Sequence, residues 1–149
     1  MTFKSPYRIG ILEDDDDFRS YLTDIIEDDP DLTVVMSAET LAEAKDYKGG
    51  IDLCLVDLQL PDGSGVDYLM HLKEMGSATK SLILTILGDR ASVLIGFESG
   101  ANGYLLKDTA PNSITHDIKA VLKGGNPISP QAATHLLSLL RSSQSENVE

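Results

Sequence analysis

Five short apolar runs punctuate the chain, at residues 8–12, 32–36, 53–56, 81–86 and 104–106, and an amphipathic stretch follows each. The runs are too short for core helices and partly β-branched, so they read as strands buried on both faces. The stretches between them carry helical spacing. Phe18, Leu22, Ile25 and Ile26 share one face, as do Ile114, Ile118, Val121 and Leu122. Val66, Leu69 and Met70 mark a third helix, Ala91, Leu94 and Ile95, with Phe97, a fourth, and Leu41, Ala44 and Tyr47 a short one. Strand and helix thus alternate five times, which predicts one parallel sheet with helices on both faces. After a break at residues 124–130, a last helix over 131–141 is predicted, with Ala132, Leu136, Leu137 and Leu140 inward.

Right-handed crossovers leave few topologies for such a chain, the flavodoxin-like strand order 2-1-3-4-5 among them. At 149 residues, one domain with a short appendage is expected. The formal net charge of −12 repels nucleic-acid phosphates, so this chain by itself is not expected to hold DNA. Its lone cysteine, Cys54, lies inside an apolar run, which points to packing and a reducing compartment. No stretch reaches membrane-spanning length and no signal-peptide core is present, so a cytoplasmic protein without membrane contact is expected.

In open α/β sheets, ligands bind at the carboxyl ends of the strands. Those ends carry Glu13 and Asp14, then Asp57, Thr85 and Lys107. Asp57 is followed at once by a loop with Pro61, Gly63 and Gly65. On that stretch alone, a turn cap and a reactive group fit Asp57 equally. Thr85 alone is equally a strand residue, and Lys107 a snorkelling surface lysine. Taken together the set makes chemical sense. Clustered carboxylates repel and need neutralising, and a hard divalent cation such as Mg2+ (or Mn2+) suits oxygen ligands. Three carboxylates, one lysine and one divalent cation then sum to no net charge. A strand-end aspartate in such a site is a candidate nucleophile for phosphoryl transfer, which depends on positioning and charge neutralisation. Asp16 and Asp17, further along the run of five acids at 13–17, are expected to cap the first helix and favour its positive end. His71, His116 and His135 lack ligand spacing and read as solvated surface.

Four motifs then carry a resemblance: Ile-Leu-Glu-Asp-Asp-x-x-Phe-Arg from Ile11, Leu-Val-Asp-Leu-x-Leu-Pro-Asp-x-x-Gly around Asp57, Ile-Leu-Thr ending at Thr85, and Gly-Ala-Asn-Gly-Tyr-Leu-Leu-Lys ending at Lys107. In this order at these strand ends, they resemble the receiver domain of two-component response regulators, over roughly residues 8–123. Gly-Tyr-Leu-Leu-Lys-Asp, then Pro-Ile-Ser-Pro and a Leu-rich helix, is similar to the NarL/FixJ branch, in which a linker joins the receiver to a LuxR-type DNA-binding domain.

The resemblance implies a (βα)5 receiver over 1–123 and a linker and connector helix over 124–149, leading towards an output domain absent from this chain. It implies that Asp57 accepts a phosphoryl group from a sensor histidine kinase. Asp14 and Asp57 would hold Mg2+ directly, Glu13 mainly through water, and Gln59 through its backbone carbonyl. Thr85 and Lys107 would bind the phosphoryl oxygens, and Tyr104 would turn inward as the switch aromatic. A homodimer on phosphorylation and transcriptional control through the output domain follow. The chain would not be an enzyme beyond catalysing its own phosphorylation and dephosphorylation. Three departures from the pattern stand out. Ile86 occupies a usually small position and is expected to narrow access to Asp57. Leu87, which with Gln59 holds the hydrolysis-tuning positions, cannot orient a water, so slow self-dephosphorylation is expected. Asp108 replaces a common proline after Lys107, which leaves that peptide's geometry open.

A haloacid-dehalogenase-like phosphatase also uses a strand-end aspartate, but it needs a second acid two residues on, where Gln59 stands. No phosphate-binding Gly-x-x-x-x-Gly-Lys-Ser/Thr loop and no Asp-x-Asp-x-Asp-Gly calcium loop occurs. A stand-alone receiver acting in a phosphorelay or by protein contact is the remaining alternative.

Overall fold

The computed structural model describes residues 5–147. Its order is β1 (Tyr7–Leu12), α1 (Asp16–Glu27), β2 (Leu32–Ala38), α2 (Leu41–Asp46), β3 (Leu53–Val56), α3 (Gly65–Glu74), β4 (Lys80–Thr85), α4 (Arg90–Glu98), β5 (Gly103–Leu106), α5 (Pro111–Leu122) and α6 (Pro130–Asn147). A two-stranded hairpin, Gln59–Leu60 with Gly63–Ser64, stands between β3 and α3. The five main strands form one parallel sheet in the spatial order β2-β1-β3-β4-β5, the predicted flavodoxin-like topology.

Period-two alternation sends side chains into two cores. Ile9, Ile11, Leu53, Leu55, Leu82, Leu84 and Leu105 pack with Leu22 and Ile26 of α1 and Ile114, Ile118 and Val121 of α5. Cys54, Val56, Ile83 and Tyr104 point to the other face, among Leu41, Tyr68, Leu69 and Val93 from α2, α3 and α4. Burial pushes the Cys54 thiol up to about 12, so it is protonated and packs as a small apolar group.

The caps differ in part from expectation. Asp15, rather than Asp16 or Asp17, caps α1, accepting the Phe18 amide at 2.9 Å. Asp16 and Asp17 lie in the first turn, where they face the positive end of the helix dipole. Asp62, in the hairpin turn, caps α2 from outside, taking the Leu41 and Ala42 amides at 2.8 and 3.1 Å. Ser64 and Asp67 close a capping box on α3.

Three helices present different faces from those predicted. In α3, Tyr68 is buried while Met70 is 40% exposed. In α4, Val93 and Gly96 face inward, whereas Ala91 and Ile95 are exposed. The reason is close approach: a side chain at Gly96 would strike Ile83 and the Tyr104 ring, so the inward face is the small one. Counting large apolar residues misses such a face. In α6, Ala132 is buried and Leu136 half-buried, while Leu137 and Leu140 face solvent. The helix packs on its own chain through its first turns.

At the sheet's amino edge, Arg8 clasps Asp52 with Nε to Oδ2 at 3.2 Å and Nη2 to Oδ1 at 3.0 Å. The guanidinium hydrogen bond holds the Asp52 carboxyl below the usual carboxylate range. A depressed folded-state value stabilises the fold above the ordinary pKa and is lost as pH falls through the depressed one. The urea midpoints of wild type and Asp52→Asn should therefore differ slightly at pH 7, by less than about 1 kcal/mol for so exposed a pair. The difference should shrink as pH falls below the ordinary carboxylate range and vanish only below the depressed Asp52 value. A gap that persists in acid would assign the effect to something other than this ion pair.

Candidate functional site

Three strands of the sheet each deliver one charged group to its carboxyl edge. Glu13 follows β1 and is 2% exposed, and Asp57 follows β3 at 4%. Lys107 follows β5, and its ammonium reaches both carboxylates, 2.8 Å from Asp57 Oδ2 and 2.7 Å from Glu13 Oε1. It also lies 4.8 Å above the Phe18 ring, a cation–π contact. Asp14 is exposed at the rim. These residues line an open cleft together with Gln59 and Pro61.

The electrostatics follow from burial. Desolvation pushes the Glu13 carboxyl upward; the Lys107 hydrogen bond and the Asp15 amide oppose this, and the Asp57 charge adds to it. Burial disfavours the Lys107 ammonium, but hydrogen bonds to Asp57 and Glu13 outweigh it and raise its pKa. Lys107 is thus a fixed cation at a strand end. Both Glu13 oxygens are in use, one by Lys107 and the other by the Asp15 amide at 3.1 Å. The Gln59 amide donates to Asp57 Oδ1 at 3.3 Å.

Oxygens of Glu13, Asp14 and Asp57 lie within 4.8 Å of one another, a spacing and donor set that could hold a hard cation. Asp14 carries the open carboxylate of the three.

The other predicted residues take distinct places. Thr85 is fully buried, and its hydroxyl accepts the Leu87 amide at 3.3 Å, so it bonds within its own loop rather than to the carboxylates. Ile86 is 66% exposed and is not part of the cleft wall, so its bulk does not narrow access in this arrangement. Leu87 is half-buried against the core. Tyr104 is fully buried, its hydroxyl donating to the Leu87 carbonyl at 2.5 Å. Burial raises the phenol's pKa, with the charges of Asp89 and Asp57 adding to it, so it remains a donor. The Lys107–Asp108 peptide is trans.

Two contributors escaped the sequence reading. Arg19 Nη1 donates to the Glu13 carbonyl at 2.8 Å and tethers α1 to the strand end. The Asp15 amide engages Glu13 through the backbone. Only Arg19, six residues after Glu13 and in the first turns of α1, offered a sequence signal.

The response regulator receiver domain family matches residues 9–119. The chain belongs to this family. It is 32% identical over 138 residues to the nitrate/nitrite response regulator protein NarP of Escherichia coli K12, covering 91% of this chain and 64% of NarP. It is 29% identical over 136 residues to the DNA-binding transcriptional activator DevR/DosR of Mycobacterium tuberculosis, covering 90% of this chain and 63% of that one. The chain thus spans somewhat less than two thirds of the length of these curated relatives. The crystal structure of a LuxR-family two-component response regulator from Aurantimonas sp. SI85-9A1 superposes with a TM-score of 0.82 at 30% identity, over 97% of this chain and all of that one. Among the described residues, no helix is long and apolar enough to cross a membrane.

Proposed function

We propose that this receiver takes a phosphoryl group from a sensor histidine kinase onto Asp57. The observation that carries the reading is Lys107 bridging Asp57 and Glu13 at the mouth of an acidic cleft. An Asp57 carboxylate oxygen attacks phosphorus, the N–P bond of the phosphohistidine breaks, and the freed imidazole takes up a proton. The product is an acyl phosphate on Asp57. Asp14, Asp57 and the Gln59 carbonyl would hold Mg2+, with Glu13 acting through water because its own oxygens are engaged. A bound Mg2+ neutralises charge on the phosphoryl oxygens. Lys107 neutralises further charge, and Thr85 reaches the phosphoryl group by giving up the Leu87 amide.

The names of the relatives support a transcriptional role through a LuxR-type DNA-binding partner domain. Pairing of two phosphorylated receivers completes this reading. Incubation with acetyl phosphate and Mg2+ tests the chemistry by intact-protein mass. One stable phosphoryl adduct is expected on wild type and none on Asp57→Asn. Continuous phosphate release points to a phosphatase, and no adduct at all to a pure interaction module.

Leu87 offers no polar group to orient an attacking water. The acyl phosphate should therefore be long-lived, and Leu87→Glu should shorten its lifetime about tenfold or more, below the roughly hundredfold or greater effect of a fully positioned general base. Equal decay of the two adducts counts against a tuning role for this position.

A further inference from the structure

The β4–α4 loop, residues 86–89, is held from two sides. Below, the Leu87 amide donates to the Thr85 hydroxyl, and the Leu87 carbonyl accepts the Tyr104 hydroxyl. Above, the next carbonyl, Gly88, is shared by two side chains of α6: Gln131 Nε2 donates to it at 3.0 Å, and His135 Nε2 lies 3.0 Å away. The contact is tight, because a side chain at Gly88 would run into the Gln131 carboxamide.

The segment leading into α6 is bound to the same region. Tyr104 donates its amide to the Pro127 carbonyl at 3.0 Å and accepts the Ser129 amide at 2.9 Å, and the Ser129 hydroxyl accepts the Leu106 amide at 3.0 Å. Residues 127–129 thus run along the outer edge of β5, where an open edge would otherwise stand. Tyr104 touches both systems, with its hydroxyl on the loop and its backbone on the linker.

We propose that Gly88 is a latch for α6 that opens when Thr85 turns towards a phosphoryl group on Asp57. The inference rests on the phosphorylation reading and extends it to a particular carbonyl. Thr85 Oγ1 cannot keep the Leu87 amide in place while turning to a new partner at the strand end. Moving Leu87 moves the Gly88 carbonyl beside it. Gln131 and His135 then either lose the carbonyl or draw the first turns of α6 with it, and Ala132 and Leu136 are packed against the same core. A packed contact of this kind has discrete arrangements rather than a continuum, so the helix is held or released. By linkage, whatever weakens the latch also favours the phosphorylated state.

Amide hydrogen exchange of residues 131–142 tests this, read with and without acetyl phosphate and Mg2+. In the unphosphorylated wild type these amides should be protected. In the Gln131→Ala/His135→Ala variant they should exchange about tenfold faster, the effect of losing about two ordinary hydrogen bonds. Phosphorylated wild type should approach the variant's rates, and at equal acetyl phosphate the variant should hold a larger steady-state fraction of adduct than wild type. An adduct that leaves α6 exchange unchanged overturns the latch alone. Failure of wild type to gain any adduct overturns the site reading, and the latch with it. Variant amides as protected as wild type before phosphorylation also overturn it, because Gly88 then does not hold the helix.

Discussion

Lys107→Ala is expected to lower the unfolding free energy by about 2 kcal/mol in metal-free buffer, and Mg2+ is expected to restore much of the loss. The ammonium is the cation that Glu13 and Asp57 share, at 2.7 and 2.8 Å, and both carboxylates are almost wholly buried. Removing one partner of a buried ion pair costs about 3–5 kcal/mol because the other charge is left uncompensated. Lys107 itself is 19% exposed, so water enters the gap and the cost falls below that range. A divalent cation bound in the same cleft would replace the missing charge, and by binding the folded state alone it would stabilise by mass action. The measurement is the urea midpoint of wild type and variant with chelator and with saturating Mg2+. The gap should be wide in chelator and narrow in Mg2+. A variant as stable as wild type in chelator would show that the two carboxylates do not depend on Lys107.

Gly65→Ala is expected to cost about 3 kcal/mol, which lowers Tm by about 10 °C in a domain of this size. Gly65 begins α3 directly beneath Asp57, where its amide donates to the Leu58 carbonyl at 3.1 Å. A methyl group there would collide with the Asp57 carbonyl oxygen and crowd Val56 Cγ1. Backbone cannot swing away as a side chain can, so either α3 retreats or Asp57 is displaced. Gly50→Ala is the control. The atoms nearest its methyl are those of the Arg8 guanidinium, the far end of a flexible side chain, so it should cost less than about 1 kcal/mol. Equal losses for the two variants would remove the backbone collision as the cause. Retained stability with impaired phosphorylation of Gly65→Ala would show that strain is relieved at Asp57 rather than in α3.

Much of the architecture is local information. Strand runs such as Leu53–Val56 are short, apolar and closed by turn residues, and their alternation with helical stripes admits few parallel topologies. Since strand ends of a parallel sheet share one edge, the convergence of Glu13, Asp57 and Lys107 is legible in the sequence alone. Helix faces were less legible. Gly96 faces Ile83 and Tyr104 because that approach leaves no room for a side chain, and Met70 faces solvent while Tyr68 fills the core. Hydrophobicity ranks residues by type, whereas burial depends on what stands opposite them.

The strand ends of the chain were thus determined by sequence: apolar runs ending in Glu13, Asp57, Thr85 and Lys107 place acid, hydroxyl and amine at one edge, because strand direction and period leave little freedom. Which of those groups touch was decided by tertiary packing. Lys107 bridges both carboxylates, Thr85 turns into its own loop, and Tyr104 and α6 meet on neighbouring carbonyls of that loop. Such pairings depend on angstrom-scale distances between segments far apart in the chain, and residue type and spacing do not encode those distances.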